Sequence, residues 1–180
     1  DLIYGVAGQD PVTWRDQLER AVASGAHHLS CYQLTFHEGT VLDRRLRRGV
    51  ISRVSEDLES QLFFLTHEVL AEAGYEGYEV SNFASDREYR SLHNQKYWDH
   101  TPYLGLGPSA HSWAGGRRWW NLGRLRLWQR SVDSGRIPIE GHERPTGNQL
   151  ALEVLMLGLR TTGGVDLDRV REQFGVDLLS

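Results

Sequence analysis

The pattern of apolar and polar residues at the start of the chain predicts a strand, a helix and a second strand. Residues 1–5 form an apolar run that ends at a glycine, and Asp10 followed by Pro11 is a typical helix start. In this helix the apolar residues recur at three- and four-residue spacing: Trp14, Leu18, Ala21 and Val22. Residues 28–35 predict the second strand. Two strands joined by one helix indicate a βαβ unit with a parallel strand pair, and therefore an α/β fold.

The middle of the chain predicts a loop, a long helix and two further strands. Residues 36–53 are loop-like and contain an arginine cluster that could meet an anionic ligand, although the pattern favours a solvated surface. Ser55, followed by two acidic residues, begins a helix whose apolar face continues to Gly74. Residues 77–83 alternate apolar and polar side chains, and residues 103–113 form another apolar stretch. We expect both stretches to extend the same sheet.

Near Gly115 the composition changes towards arginine and tryptophan. Further along, residues 149–160 and the residues after Asp166 predict two helices. We therefore expect a first domain over residues 1–115 and, over residues 116–180, a linker followed by a small, truncated and mainly helical domain. The chain opens on a strand-like run rather than on a methionine and a polar lead-in, which favours a piece of a longer protein.

The overall composition argues against several classes of protein and of metal site. Of 180 residues 39% are hydrophobic, and 20 Lys and Arg stand against 24 Asp and Glu, a net charge of −4. The negative charge argues against nucleic-acid binding, although arginines interleaved with tryptophans after Gly115 leave a local binding module as an alternative. No apolar run is long enough to span a bilayer, and we expect a cytoplasmic protein. Cys31 is the only cysteine, so this chain alone predicts no disulfide and no cysteine-ligated cluster.

The block from His93 to Trp98 combines an imidazole, an amide and two large aromatic rings. Imidazole can ligate a haem iron, Asn94 can orient it or hold a propionate, and Tyr97 and Trp98 can stack on a macrocycle. The alternative is a hydrogen-bonded turn whose two rings anchor a loop to the core. Spacing alone favours this structural alternative, because a lone histidine beside aromatic residues is more often structural than ligating.

A glycine-rich stretch at residues 104–112 allows the backbone to approach a ligand closely. It does not match the dinucleotide-binding fingerprint, since no third glycine is placed to open a helix and no phosphate-binding lysine follows. Asp1 and Thr35 each fall at an end of a predicted parallel strand. Because ligands collect at the carboxyl ends of parallel strands, Thr35 is better placed than Asp1.

Five segments together resemble the radical SAM coproporphyrinogen III oxidase-like family. They are DLIYGVAGQ at 1–9, LSCYQLT at 29–35, GYEGYEVSNFA at 74–84, HNQKYW at 93–98 and LGLGPSAHS at 104–112. The resemblance covers nearly the whole chain in the same order. HNQKYW is similar to the HNxxYW motif of the haem chaperone branch, which the dehydrogenase branch generally lacks, and it favours the chaperone branch. The departures are Ala7 where the family commonly has Pro and Asp10 where Thr is usual.

For the fold, the resemblance implies the C-terminal portion of a partial (β/α) radical SAM barrel followed by a small helical domain. For the cofactors, it implies S-adenosyl-L-methionine and a 4Fe-4S cluster held by a CxxxCxxC loop. Cys31 cannot replace that loop, so the cluster ligands are expected outside this chain, and the chain alone is expected to be inactive. Haem is the further ligand implied by the chaperone branch.

The resemblance also assigns candidate site residues. Those that match S-adenosylmethionine contacts are Asp1, Thr35 and His111. Those that match the haem-binding motif are His93, Asn94, Tyr97 and Trp98. Among them, His93 is the candidate ligand of the haem iron.

Two functions follow from the resemblance. The first is a haem chaperone that binds haem and delivers it to respiratory acceptor proteins; whether its parent is also an enzyme stays open. The second is an oxygen-independent coproporphyrinogen III oxidase, which uses a 5′-deoxyadenosyl radical in the oxidative decarboxylation of two propionate side chains. Porphyrin formation from coproporphyrinogen under anaerobic conditions distinguishes the two.

Overall fold

The computed structural model describes residues 1–177 and divides the chain into two compact units, Asp1–Arg90 and Ser91–Ser180. The first unit contains a four-stranded sheet and the second a three-stranded sheet. Within residues 1–177, no helix is long and apolar enough to cross a membrane.

The first unit is built around a parallel strand pair. Its elements are β1 (Leu2–Tyr4), α1 (Pro11–Ala23), β2 (His28–Gln33), α2 (Val41–Arg47), α3 (Glu56–Glu72), β3 (Glu76–Gly77) and β4 (Asn82–Ala84). The strand order is β1-β2-β4-β3. β1 and β2 are parallel, with Leu2 opposite Cys31 and Tyr4 opposite Gln33, which confirms the predicted βαβ unit.

Helices α1 and α3 pack together and cover the core of the first unit. α1 begins where predicted, because the Asp10 side chain accepts a hydrogen bond from the Thr13 amide at 2.9 Å. Trp14 lies fully buried on its inner face, and the Trp14 indole donates to Thr66 Oγ1 of α3 at 2.9 Å. The helical spacing read from the sequence therefore corresponds to the packed face.

The prediction that residues 36–53 form only a loop is wrong, because they contain α2. Thr40 caps this helix by accepting from the Asp43 amide at 3.2 Å. One turn later, Arg47 forms an ion pair with Asp43 at 3.0 Å. These local contacts stabilise a short helix with little apolar periodicity.

The prediction of one strand at residues 77–83 is also wrong, because this stretch is a hairpin. The Glu79 carboxylate accepts hydrogen bonds from the Ser81 amide, at 2.8 Å, and from the Asn82 side chain, which closes a turn between β3 and β4. Both strand pairs made by β4 are antiparallel, with Phe83 opposite Leu29 in β2. The sheet is therefore mixed.

The second unit combines an antiparallel sheet with helices. Its elements are α4 (Leu92–Trp98), β5 (His111–Ala114), β6 (Arg117–Asn121), α5 (Leu125–Asp133), β7 (Ile139–Glu143), α6 (Gly147–Gly158) and α7 (Leu167–Phe174). The two predicted C-terminal helices are confirmed as α6 and α7. α6 starts with a capping box, in which Thr146 and Gln149 bond each other's backbone amides.

The expectation that residues 103–113 extend the first sheet is wrong. Tyr103 pairs with Trp113 in an isolated antiparallel bridge, and β5 belongs to the second sheet, in the order β5-β6-β7. Gly115, the predicted domain boundary, lies in the turn between β5 and β6. The division at residue 115 stays a prediction about the longer protein.

Candidate functional site

The residues of HNQKYW lie on helix α4 and not in a turn. Ser91 caps the helix by accepting from the Asn94 amide at 3.2 Å. Helical geometry then brings residues four apart onto the same face, so His93 lies beside Tyr97, and Asn94 lies on the same face as Trp98. The structural alternative named a hydrogen-bonded turn for this block, and the observed conformation is a helix instead.

His93 and Tyr97 form an exposed pair on the surface of α4. The Tyr97 hydroxyl lies 3.2 Å from His93 Nε2, and the two rings meet edge to face with centroids 5.0 Å apart. Both side chains are exposed, whereas Asn94 and Trp98 are half-buried. The imidazole is therefore accessible from solvent, and its Nε2 already has a polar neighbour on the same helix.

A further aromatic residue, Tyr103, packs against Tyr97 of this pair. Its ring lies 4.6 Å from the ring of Tyr97, at an interplanar angle of 73°. Burial raises the pKa of the Tyr103 hydroxyl above its usual value, so this hydroxyl stays neutral at physiological pH. Sequence reasoning missed Tyr103 as a site residue, because only the bridge between Tyr103 and Trp113 fixes it against the second sheet.

The glycine-rich stretch that follows Tyr103 has a fixed conformation. The Gly105 amide donates to Ser112 Oγ at 3.0 Å, and the Asn121 side chain donates to the Gly107 carbonyl at 2.9 Å. A Cβ at residue 105 would come within 2.0 Å of the His111 carbonyl oxygen, so only glycine fits there. Gly105 therefore serves close packing of the loop against β5, whereas Gly107 serves a backbone turn with φ +103°.

The candidate S-adenosylmethionine residues are distributed over both units. Asp1 lies just before β1, at the amino end of the strand pair, and Thr35 follows β2 at its carboxyl end. Because the strands are parallel, these two exposed residues lie at opposite ends of the pair. His111 begins β5 in the second unit, where its exposed ring stacks on Trp120 at 5.7 Å.

A network of charged residues follows α4 and was not predicted. Arg118 of β6 forms ion pairs with Glu153 of α6 at 2.6 Å and with Glu143 at 2.7 Å. His100 Nε2 lies 4.0 Å from the Glu153 carboxylate. Burial lowers the pKa of His100, and the nearby Glu153 carboxylate only partly opposes this effect. These residues lie far apart in the sequence, so no local sequence pattern predicts the network.

Cys31 does not fit a role as a cluster ligand. Its side chain is 2% exposed within the core of the first unit, and burial raises its pKa to about 12. Metal clusters bind the thiolate form, which this environment disfavours. Across residues 1–177 no group of three or more His, Cys, Asp or Glu side chains could hold a metal ion.

Comparison with known proteins supports the family suggested by the motifs. Over 170 residues the chain is 34% identical to the haem chaperone HemW of Mycobacterium tuberculosis (strain ATCC 25618 / H37Rv), covering 94% of this chain and 43% of that protein. Over 171 residues it is 37% identical to the haem chaperone HemW of Synechocystis sp., covering 92% of this chain and 40% of that protein. The predicted family resemblance is confirmed.

Two further comparisons agree with this result. Residues 146–179 match the family described as the HemN C-terminal domain. The chain is 34% identical over 175 residues to the mitochondrial radical S-adenosyl methionine domain-containing protein 1 of Mus musculus, covering 92% of this chain and 39% of that protein. The chain therefore spans between 39% and 43% of the length of these three relatives.

The fold itself resembles a solved structure. Coproporphyrinogen III oxidase (HemN) of Escherichia coli, described as a radical SAM enzyme, superposes with a TM-score of 0.78 over 98% of this chain and 43% of that chain. The sequence identity is 19%, so this comparison supports the mixed α/β fold and not the activity.

Proposed function

We propose that this chain is part of a haem chaperone and that helix α4 carries its haem-binding site, with haem as the cargo. The observation that carries this proposal is the exposed His93 imidazole beside the rings of Tyr97 and Tyr103. The similarity of the chain to the HemW proteins supports the same function.

The chemistry of these side chains fits a porphyrin. Histidine is a common axial ligand of haem iron, and the exposed His93 imidazole can take this role. The tyrosine rings and Trp98 offer flat apolar surface with a polar tip, which suits a macrocycle with an apolar ring and charged propionates. Asn94, which is half-buried and follows His93 in the chain, is the proposed hydrogen-bond partner that orients the imidazole or binds a propionate.

For the parent protein we propose a partial radical SAM barrel that includes β1 and β2, with the domain division near residue 115. Thr35 is the proposed S-adenosylmethionine contact with the best placement, because its exposed hydroxyl follows the carboxyl end of β2. Asp1, at the opposite end of the strand pair, and His111, in the other unit, are proposed contacts on the family resemblance alone. The 4Fe-4S cluster requires ligands outside this chain, because Cys31 is the single cysteine of the sequence and its burial disfavours the thiolate form. A cytoplasmic location of the chaperone and delivery of its haem to respiratory acceptor proteins complete the proposal.

A second candidate function is oxygen-independent coproporphyrinogen III oxidase. The family resemblance suggests this function, and a fold similar to that of the Escherichia coli enzyme is compatible with it. The dehydrogenase branch generally lacks the HNxxYW motif that residues 93–98 resemble, and the oxidase therefore ranks second. A nucleic-acid-binding module has weaker support, because Arg118 is ion-paired with two glutamates and Trp120 stacks on His111.

Haem titration of the full-length parent tests the proposal. Wild type and His93→Ala are compared by the Soret absorption, with anaerobic coproporphyrinogen turnover followed in parallel. His142→Ala is the matched control, because His142 is an exposed histidine of β7 in the same unit. We expect stoichiometric haem binding that weakens in His93→Ala alone, with no porphyrin product. Turnover with haem binding indifferent to His93 would establish the oxidase instead.

A further inference from the structure

We propose that the loop Tyr103–Gly107 is the second wall of the haem site, and that Leu104 and Leu106 contact the hydrocarbon part of the porphyrin. This inference rests on the proposed function, because it concerns the same ligand. It assigns binding to residues outside the HNQKYW motif.

A series of aromatic contacts connects the first residue of this loop to the exposed histidine. His93 lies against Tyr97, and Tyr97 lies 4.6 Å from Tyr103, measured between ring centroids. Leu104 follows Tyr103 directly in the chain. A ligand that covers the outer surface of the His93–Tyr97 pair therefore extends towards the start of this loop.

The backbone of the loop is held in place without help from a ligand. Tyr103 and Trp113 exchange two backbone hydrogen bonds of 2.9 Å each. The Gly105 amide is bound by Ser112, a fully buried residue, and the Gly107 carbonyl is bound by the buried Asn121. A surface fixed in this way binds a ligand with little loss of conformational entropy.

The two leucines on this fixed loop project into solvent. Leu104 is 70% exposed and Leu106 is 85% exposed. Single exposed leucines are ordinary, but here two of them stand on a hydrogen-bonded loop that begins at Tyr103, whose ring contacts Tyr97 beside the accessible His93 imidazole. Binding sites for organic ligands combine such apolar surface with a few polar groups that fix orientation. A porphyrin matches this combination, because its large apolar ring carries a metal at the centre and carboxylates at one edge.

Leu104→Asn and Leu106→Asn, alone and together, test the inference in the full-length parent. Val12→Asn is the matched control, because Val12 is 81% exposed on α1 in the other unit. Each variant is titrated with haemin and, separately, with metal-free protoporphyrin IX. Circular dichroism confirms that each variant is folded, which we expect since the substituted side chains are exposed.

We expect each leucine variant to weaken both ligands by about 3- to 10-fold, the result of losing part of a leucine's apolar burial. His93→Ala should weaken haemin much more than metal-free protoporphyrin, because it removes the iron ligand. If haemin binding depends on His93 but both leucine variants match Val12→Asn, the loop is not a wall of the site and the proposed function stands. If the wild type binds neither ligand, both proposals are overturned.

Discussion

Replacing Tyr97 with phenylalanine is expected to strengthen haem binding. In the structure the Tyr97 hydroxyl lies within hydrogen-bond distance of His93 Nε2, at 3.2 Å. If Nε2 is the nitrogen that binds iron, this hydrogen bond must break before the iron–nitrogen bond forms. Phenylalanine removes the hydroxyl and keeps the ring that packs between His93 and Tyr103. The competing interaction is then lost while the apolar contacts remain.

The size of the effect follows from the energy of one exposed hydrogen bond. Such a bond contributes about 0.5–1.5 kcal/mol, and solvent exposure favours the lower part of that range. Haemin affinity should therefore rise by about 2- to 10-fold in Tyr97→Phe, measured by Soret titration of the full-length parent. Tyr97→Ala, which removes the ring as well, should instead bind haemin more weakly than the wild type. Equal losses in both variants would refute this reasoning and show that the hydroxyl contacts the haem directly.

Three further predictions concern stability and reactivity. Thr66→Val leaves the buried Trp14 indole without an acceptor and should lower the free energy of unfolding by about 1–3 kcal/mol in urea; a loss below about 0.5 kcal/mol would contradict the role of this bond. The Cys31 thiol, with its pKa raised to about 12, should not react with a disulfide reagent at pH 8 until denaturant is added, and rapid reaction of the native protein would show that the residue is accessible. The pKa of His100 is lowered, so the unfolded chain takes up a proton more readily and stability should fall as pH drops below about 6.5. His100→Asn should flatten that fall, since asparagine tolerates the left-handed backbone at this position, φ +52°, and an unchanged pH profile would exclude His100 as a cause.

Local signals account for the elements that the sequence predicts correctly. α1 and α3 have capping side chains at Asp10 and Ser55, and apolar residues at helical spacing that become the packed faces. The same reasoning misses α2, because its stability comes from Thr40 and the Asp43–Arg47 pair rather than from an apolar face. Periodicity alone is therefore a poor guide where a helix is short and polar.

The hairpin at residues 76–84 shows a different limit. Alternation of apolar and polar residues suggests one continuous strand, yet the Glu79 carboxylate binds the Ser81 amide and the Asn82 side chain and forms a turn. The resulting antiparallel β4 places Asn82 beside Ser30, whose hydroxyl donates to the Asn82 side chain at 2.7 Å. A side chain that bonds its neighbouring backbone can override strand periodicity.

The candidate haem site illustrates how a motif and a structure contribute separate information. The motif identifies His93 and Tyr97, but the residues that determine their setting are distant in sequence. Tyr103 contacts Tyr97 only because the bridge to Trp113 folds the chain back.

Helix α4 also packs against α6, and α6 lies within the segment that matches the HemN C-terminal domain. The α6 residue Glu153 also binds Arg118 of β6 and lies near His100, two residues beyond the end of α4. α4 is therefore supported by parts of the chain that follow it by more than fifty residues, while its exposed histidine remains open to solvent. Spacing alone does not show which residues of the motif hold α4 in place and which remain accessible to a ligand, because the supporting contacts are non-local and only the fold separates the two groups.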